Sequence, residues 1–192
     1  IKAGKNWLQE ITSKGDLAWK SKALCLIGKS QYYANSFVDA KAAIEKSLEL
    51  QEEFNDQEVI GFGNHFLAMM LYDVEKYEEA APYFKKGIQA LTLTNERWTQ
   101  ATSRFLYGYL LYSLKKNDES RAQYTEAIAL FEKHVDSKSL ADSYKYLGQL
   151  EYFNADKFAD AVTAYKSAVL KYEAVGRPED AAYCNSMIGE IY

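Results

Sequence analysis

A glycine in the middle of a helical pattern recurs along this chain at a fixed step. Gly28, Gly108 and Gly148 are each followed four residues later by a tyrosine, Tyr32, Tyr112 and Tyr152, and Ala68/Tyr72 fills the gap, so the step is 40 residues each time. A further glycine, Gly189, comes 41 residues after Gly148. Inside a helix a glycine costs about 1 kcal/mol against alanine, so its recurrence calls for a compensating contact in every unit. Self-similarity at such a period marks a repeat architecture, in which each unit buries its apolar face on its neighbours.

Aligned on the glycine column, the repeats run 16–55, 56–95, 96–135 and 136–176 in one array over 1–192, with 1–15 as the end of a preceding second helix and 177–192 as the first helix of a further repeat. Twelve residues before the glycine stand Asp16, Asp56, Glu96 and Asp136, suited to capping a helix start or to the positive end of its dipole. The residue before each is Gly15, Asn55, Asn95, Val135 and, opening the last unit, Gly176. Glycine and asparagine tolerate the left-handed turn that ends a helix. Each unit therefore reads as two helices, separated by turn signals at 34–36, 74–76, 115–118 and 154–157.

The second helices open with small residues, Ala40, Ala80, Ser120 and Ala161, and carry another small residue seven later, Ser47, Gly87, Ala127 and Ala168. That spacing keeps both on one face, where helices approach closely. The glycine column is expected to serve the same close approach of backbones. Pro82, about one turn into its helix, loses little by lacking an N–H. The expected class is all-α: antiparallel helix pairs stacked in a solenoid.

Composition limits what such an array can do. Of 192 residues 48% are hydrophobic and only two are proline, enough for one continuous folded core. A net charge of −4, with lysines spread or paired rather than gathered in a run, argues against nucleic acid as the direct partner. No apolar run reaches the roughly 20 residues of a membrane span, and no leader pattern opens the chain. Cys25 and Cys184 would lie far apart in an array, so a reducing, cytoplasmic setting is expected. Starting at Ile1 and stopping within a repeat, the chain reads as part of a longer protein.

These columns resemble the tetratricopeptide repeat, whose pattern has Leu-Gly early in the first helix, an aromatic pair three to four residues on, Ala opening the second helix, an aromatic four later and Ala three after that. The stretch YLGQLEYFNADKFADAVTAYKSA at 146–168 follows it, apart from a one-residue insertion, and the other units follow it in most columns. The family's unit is near 34 residues, so six more add roughly 9 Å of helix. Leu24, Asn64, Arg104 and Tyr144 stand where the family often has tryptophan. These departures resemble the long-repeat subclass of scaffolding and signal-sensing proteins.

The resemblance implies a right-handed superhelix of these pairs, an all-α solenoid, whose first helices line a concave groove. That stripe would hold Lys22, Cys25, Lys29 and Tyr32; then Phe62, His65, Met69 and Tyr72; then Thr102, Phe105, Tyr109 and Tyr112; then Asp142, Lys145, Gln149 and Tyr152. It is basic at one end, aromatic and Met-rich in the middle and mixed polar at the other, which suits a peptide or helix of a protein partner. The alternative reading of the Tyr32/Tyr72/Tyr112/Tyr152 ladder is as core packed between repeats. The family's clamp for chaperone C-termini is matched only at Lys29, because Cys25, Leu67, Thr102 and Leu106 fill its other positions.

No catalytic residue, metal site or cofactor is expected. His65 and His134 lie in different helices, and GFGN at 61–64 follows no strand, so its glycines read as packing positions. The expected function is a non-catalytic interaction scaffold. The alternative is a ligand- or peptide-sensing segment of a larger signalling or transcription-regulating protein, and self-association is a third possibility.

Overall fold

The computed structural model describes residues 14–133, 138–153 and 157–192, and every element among them is helical. The helices are α1 (Lys14–Tyr33), α2 (Phe37–Phe54), α3 (Gln57–Tyr72), α4 (Tyr77–Thr92), α5 (Arg97–Ser113), α6 (Asn117–Phe131), α7 (Lys138–Tyr152), α8 (Phe158–Ala174) and α9 (Pro178–Ile191). They form two compact units, Ile1–Glu96 and Arg97–Tyr192. Residues 1–13, 134–137 and 154–156 lie outside the described residues, and with them His134, the expected helix start at Val135 and Asp136, and most of the turn expected at 154–157.

The turn between paired helices is the same in the first three pairs. After α1 the Asn35 N–H bonds to Tyr32 O and the Ser36 N–H to Gln31 O, both at 2.9 Å. Glu75 and Lys76 repeat this on Tyr72 and Leu71, as do Lys115 and Lys116 on Tyr112 and Leu111. This paired closure satisfies the last carbonyls of a helix and needs one left-handed residue, supplied by Asn35 (φ 58°), Glu75 (58°) and Lys115 (62°).

Between repeats, Asn55 (φ 52°) and Gly176 (68°) take the left-handed form expected of them. Asn95 does not: α4 ends instead on short bonds from Leu93 N to Ala90 O and Thr94 N to Leu91 O, the tighter closure open to a helix end. Asp56 caps α3 by accepting from the backbone N–H groups of Glu58 and Val59. Asp16 is not a cap, because α1 starts at Lys14. Pro82 lies beyond the free N–H groups of the first turn of α4, so it removes one helical bond.

Contacts between partners prove the hairpins antiparallel. In the first, Ser21 lies against Ser47 while Gly28 lies against Ala40. Ser21 Oγ donates to Ser47 O at 2.9 Å, Ser47 Oγ donates to Ser21 O at 2.7 Å, and Gln51 Nε2 donates to Ser21 Oγ at 2.6 Å. Gln51 Oε1 in turn accepts from Asp56 N, tying the pair to the start of α3. Paired hydroxyls here let small residues meet without leaving buried polar atoms unsatisfied.

The small columns are sealed: Ala40, Ala80, Ser120, Ala161, Ser47, Ala127 and Ala168 all have no exposed surface. The glycine column differs in detail from the expected meeting of backbones. A Cβ on Gly28 would collide mainly with the Ile44 side chain, on Gly108 with the Tyr124 ring and on Gly148 with the Tyr165 ring. Its contact is thus a bulky side chain from the second helix. Backbone approaches backbone at Gly87, where a Cβ would stand 3.2 Å from Gly61 O and from His65 N.

Candidate functional site

Within the first unit, the first helices of its two repeats, α1 and α3, enclose a cleft of about 110 Å³. Its lining comes from one stripe of each helix, including Lys22, Leu26 and Lys29 from α1 with Val59, Phe62 and Phe66 from α3. Asp56 fixes one end, since the carboxylate that caps α3 also holds Lys22 Nζ at 2.9 Å. Burial pushes the Asp56 carboxyl up, but Lys22 and the backbone N–H groups of Val59 and Glu58 outweigh it and hold the group below its ordinary value. The Lys22 ammonium is raised by the same hydrogen bond.

Lys29 stands over the Phe62 ring, its Nζ 5.9 Å from the centroid, an ammonium held over an apolar floor by the ring's negative face. Beneath the cleft, titratable groups are disarmed. His65 is 4% exposed, and burial, with Lys29 adding repulsion, lowers its pKa to about 4. Burial likewise pushes the Cys25 thiol up to about 12. A neutral imidazole inside the protein and a protonated thiol are poorly placed for general-base or nucleophilic work.

The remaining expected residues of this unit have structural contacts. Tyr32 is half-buried, donates from its hydroxyl to Asp73 Oδ2 at 2.7 Å, and packs on Phe66 with ring centroids 5.6 Å apart. Met69 packs against the Ile44–Phe66–Leu67 core. Tyr72 lies 5.7 Å from Tyr77 and 6.5 Å from Phe84.

In the second unit the stripe forms an aromatic cluster. Phe105 and Tyr109, half-buried on α5, pack on Tyr146 of α7 at 5.7 and 5.3 Å. Lys145 Nζ sits 4.7 Å from the Tyr146 ring centre and 3.8 Å from Asp142 Oδ1. Asp142 also accepts from the Tyr172 hydroxyl and binds Lys138 at 2.7 Å, so Lys145 belongs to a charge network. Gln149 bonds the Tyr112 side chain. Tyr152 is half-buried between Phe153 and Phe158, 5.4 and 6.1 Å away.

The column two residues before the glycine, Leu26, Phe66, Leu106 and Tyr146, escaped the sequence reading. Leu26 and Phe66 line the first cleft and Tyr146 centres the aromatic cluster. A large apolar residue in every repeat was the available signal. No group of three or more His, Cys, Asp or Glu among the described residues could hold a metal ion. No described helix is long and apolar enough to cross a membrane.

Paired helices repeating with this register define a tetratricopeptide-like helical repeat, and solved structures agree. RapI in its apo form superposes with a TM-score of 0.78 at 17% identity, over 98% of this chain and 67% of that one. A signal transduction ATPase with numerous domains from Pyrococcus horikoshii, described as having a tetratricopeptide repeat sensor, gives 0.74 at 14%, over 96% of this chain. A Rap protein complexed with Competence and Sporulation Factor gives 0.66 at 15%, over 99% of this chain. The chain spans 29% of the length of the ATPase and 57% of that Rap protein. At these identities the likeness is one of fold. Neither a family model nor a curated protein matches the sequence.

Proposed function

We propose that this chain is a non-catalytic protein-interaction module of the long-repeat tetratricopeptide kind, which binds a peptide or helix of a protein partner along its first helices. The observation that carries the reading is the α1–α3 cleft, where Lys29 overhangs Phe62 and Lys22 is braced by Asp56. An apolar floor supplies affinity and a polar rim supplies orientation. The aromatic cluster of the second unit, Phe105, Tyr109 and Tyr146, is the second candidate contact. The buried neutral states of His65 and Cys25 support a role without catalysis. Two free, buried cysteines fit a reducing, cytoplasmic setting.

Affinity capture with the wild-type chain and a Phe62→Ala/Lys29→Glu variant tests this, with circular dichroism following the fold. A partner lost from the variant at unchanged helicity is the expected result; a partner retained equally overturns it. Regulation by a bound ligand is the second reading, favoured by the likeness to a described repeat sensor and to a Rap protein in complex with a factor. It requires that the captured ligand alter amide exchange in helices remote from the cleft.

A further inference from the structure

The first unit carries another, larger opening, about 290 Å³, between α2 and the start of α4, over the C-terminal half of α3. Phe37, Val38 and Lys41 line it from α2, Met70 and Leu71 from α3, and Glu79 and Tyr83 from α4. In the second unit, 80 residues on, the corresponding columns carry polar and charged residues: Asn117, Asp118, Arg121 and Glu151 stand in the columns of Phe37, Val38, Lys41 and Leu71. There the Arg121 guanidinium grips both oxygens of Glu151, with Nη2 at 3.0 Å from Oε2, and reaches Asp118 at 2.7 Å. Lys157 adds a contact at 3.6 Å, and Glu151 is only 4% exposed.

In the first unit the cation is kept and both carboxylates are replaced by apolar residues. Val38 is 85% exposed and Phe37 44%, and with Leu71 and Met70 they line one opening rather than standing singly on the surface. Lys41 pairs with Glu45 of its own helix at 3.7 Å, a solvated pair worth little. Glu79 across the opening is held by Lys76 at 3.1 Å. The cleft thus has a cation on the α2 wall, an apolar floor, and a vacancy of charge where Glu151 stands in its counterpart.

We propose that this cleft docks a segment of a partner protein that presents Asp or Glu beside a bulky apolar side chain. The carboxylate faces Lys41, as Glu151 faces Arg121, and the apolar side chain covers Phe37, Val38 and Leu71. Glu79 directs the acid towards α2 and away from α4. The surface is separate from the α1–α3 cleft and does not depend on it.

Random short peptides displayed on phage, selected against the intact chain and synthesised with blocked ends, test the proposal. Expected are sequences with an acid next to a large apolar residue, shifting the amides of 37–41, 67–71 and 79–83. Lys41→Met should weaken them about tenfold, the loss expected for a hydrogen bond to a charged group. Leu71→Glu, which supplies the second unit's carboxylate internally, should weaken them at least as much. Lys41 is exposed, so its variant keeps the test valid if the Leu71 variant unfolds. The proposal is overturned if no peptide is selected, if those selected show no acid preference or map elsewhere, or if they bind Lys41→Met equally. It is also overturned if free 4-phenylbutyrate competes with affinity equal to the peptides, which would make this a small-carboxylate site.

Discussion

The ring of Tyr165 lies on Gly148, its Cδ1 2.9 Å from where a glycine Cβ would stand. Gly108 receives Tyr124 at the same distance, whereas Gly189 has nothing within 4 Å. The column is thus a socket for the large residue of the second helix, filled in α5 and α7.

Opposite outcomes follow for one substitution. Gly148→Ala gains helix propensity but overpacks the socket, and the overpacking cost of about 1–3 kcal/mol wins. Gly189→Ala keeps only the propensity gain, up to about 1 kcal/mol. Thermal melts of the two variants should move in opposite directions.

Glu75 and Lys115 take left-handed backbone at φ 58° and 62°, a conformation costly for a residue with a Cβ. Replacing either by glycine relieves that strain at some cost in unfolded-state entropy, for a net gain of about 0.5–1 kcal/mol. Denaturant midpoints check this, and Asn35→Gly, where asparagine already suits the turn, should change less.

His65 gives the fold a pH dependence. Its folded pKa of about 4 lies below the ordinary 6.5, so the unfolded chain binds the proton first and stability falls as pH drops through the interval between them. Above the upper value the effect is absent, and below the lower it is complete. From about pH 7 to about pH 5 the loss is about 2 kcal/mol. His65→Gln should flatten that part of the curve in denaturant titrations taken at both values.

Periodicity made the helix pairs legible: small residues at fixed steps and Asp56 before α3 were enough to place them. The turns at 74–76 and 115–118 were legible as breaks, but their left-handed backbone was not, because Glu75 and Lys115 carry no glycine or asparagine to announce it. Here the bonds of Lys76 to Leu71 and Lys116 to Leu111 impose it. Part of the site was legible too, since Lys22, Lys29 and Phe62 line one cleft. His65 was read on the same stripe and lies sealed inside, in the column where Cys25 is also buried. Periodicity gives a residue's angle around its helix, but its depth depends on what packs against that angle: Cys25 still borders the cleft, His65 does not, and Leu26 and Phe66 join the lining.

Whether the α1–α3 cleft holds the partner is decided by amide chemical-shift mapping of the chain with the captured partner's minimal segment. Expected are shifts concentrated at 22–29 and 58–66, and loss of binding in Phe62→Ala at retained helicity. The melting temperature of that variant falls, because Phe62 also packs against the Ile44–Phe66–Leu67 core. Saturating binding that leaves those residues unshifted, or that survives Phe62→Ala undiminished, would contradict the cleft as the partner's site.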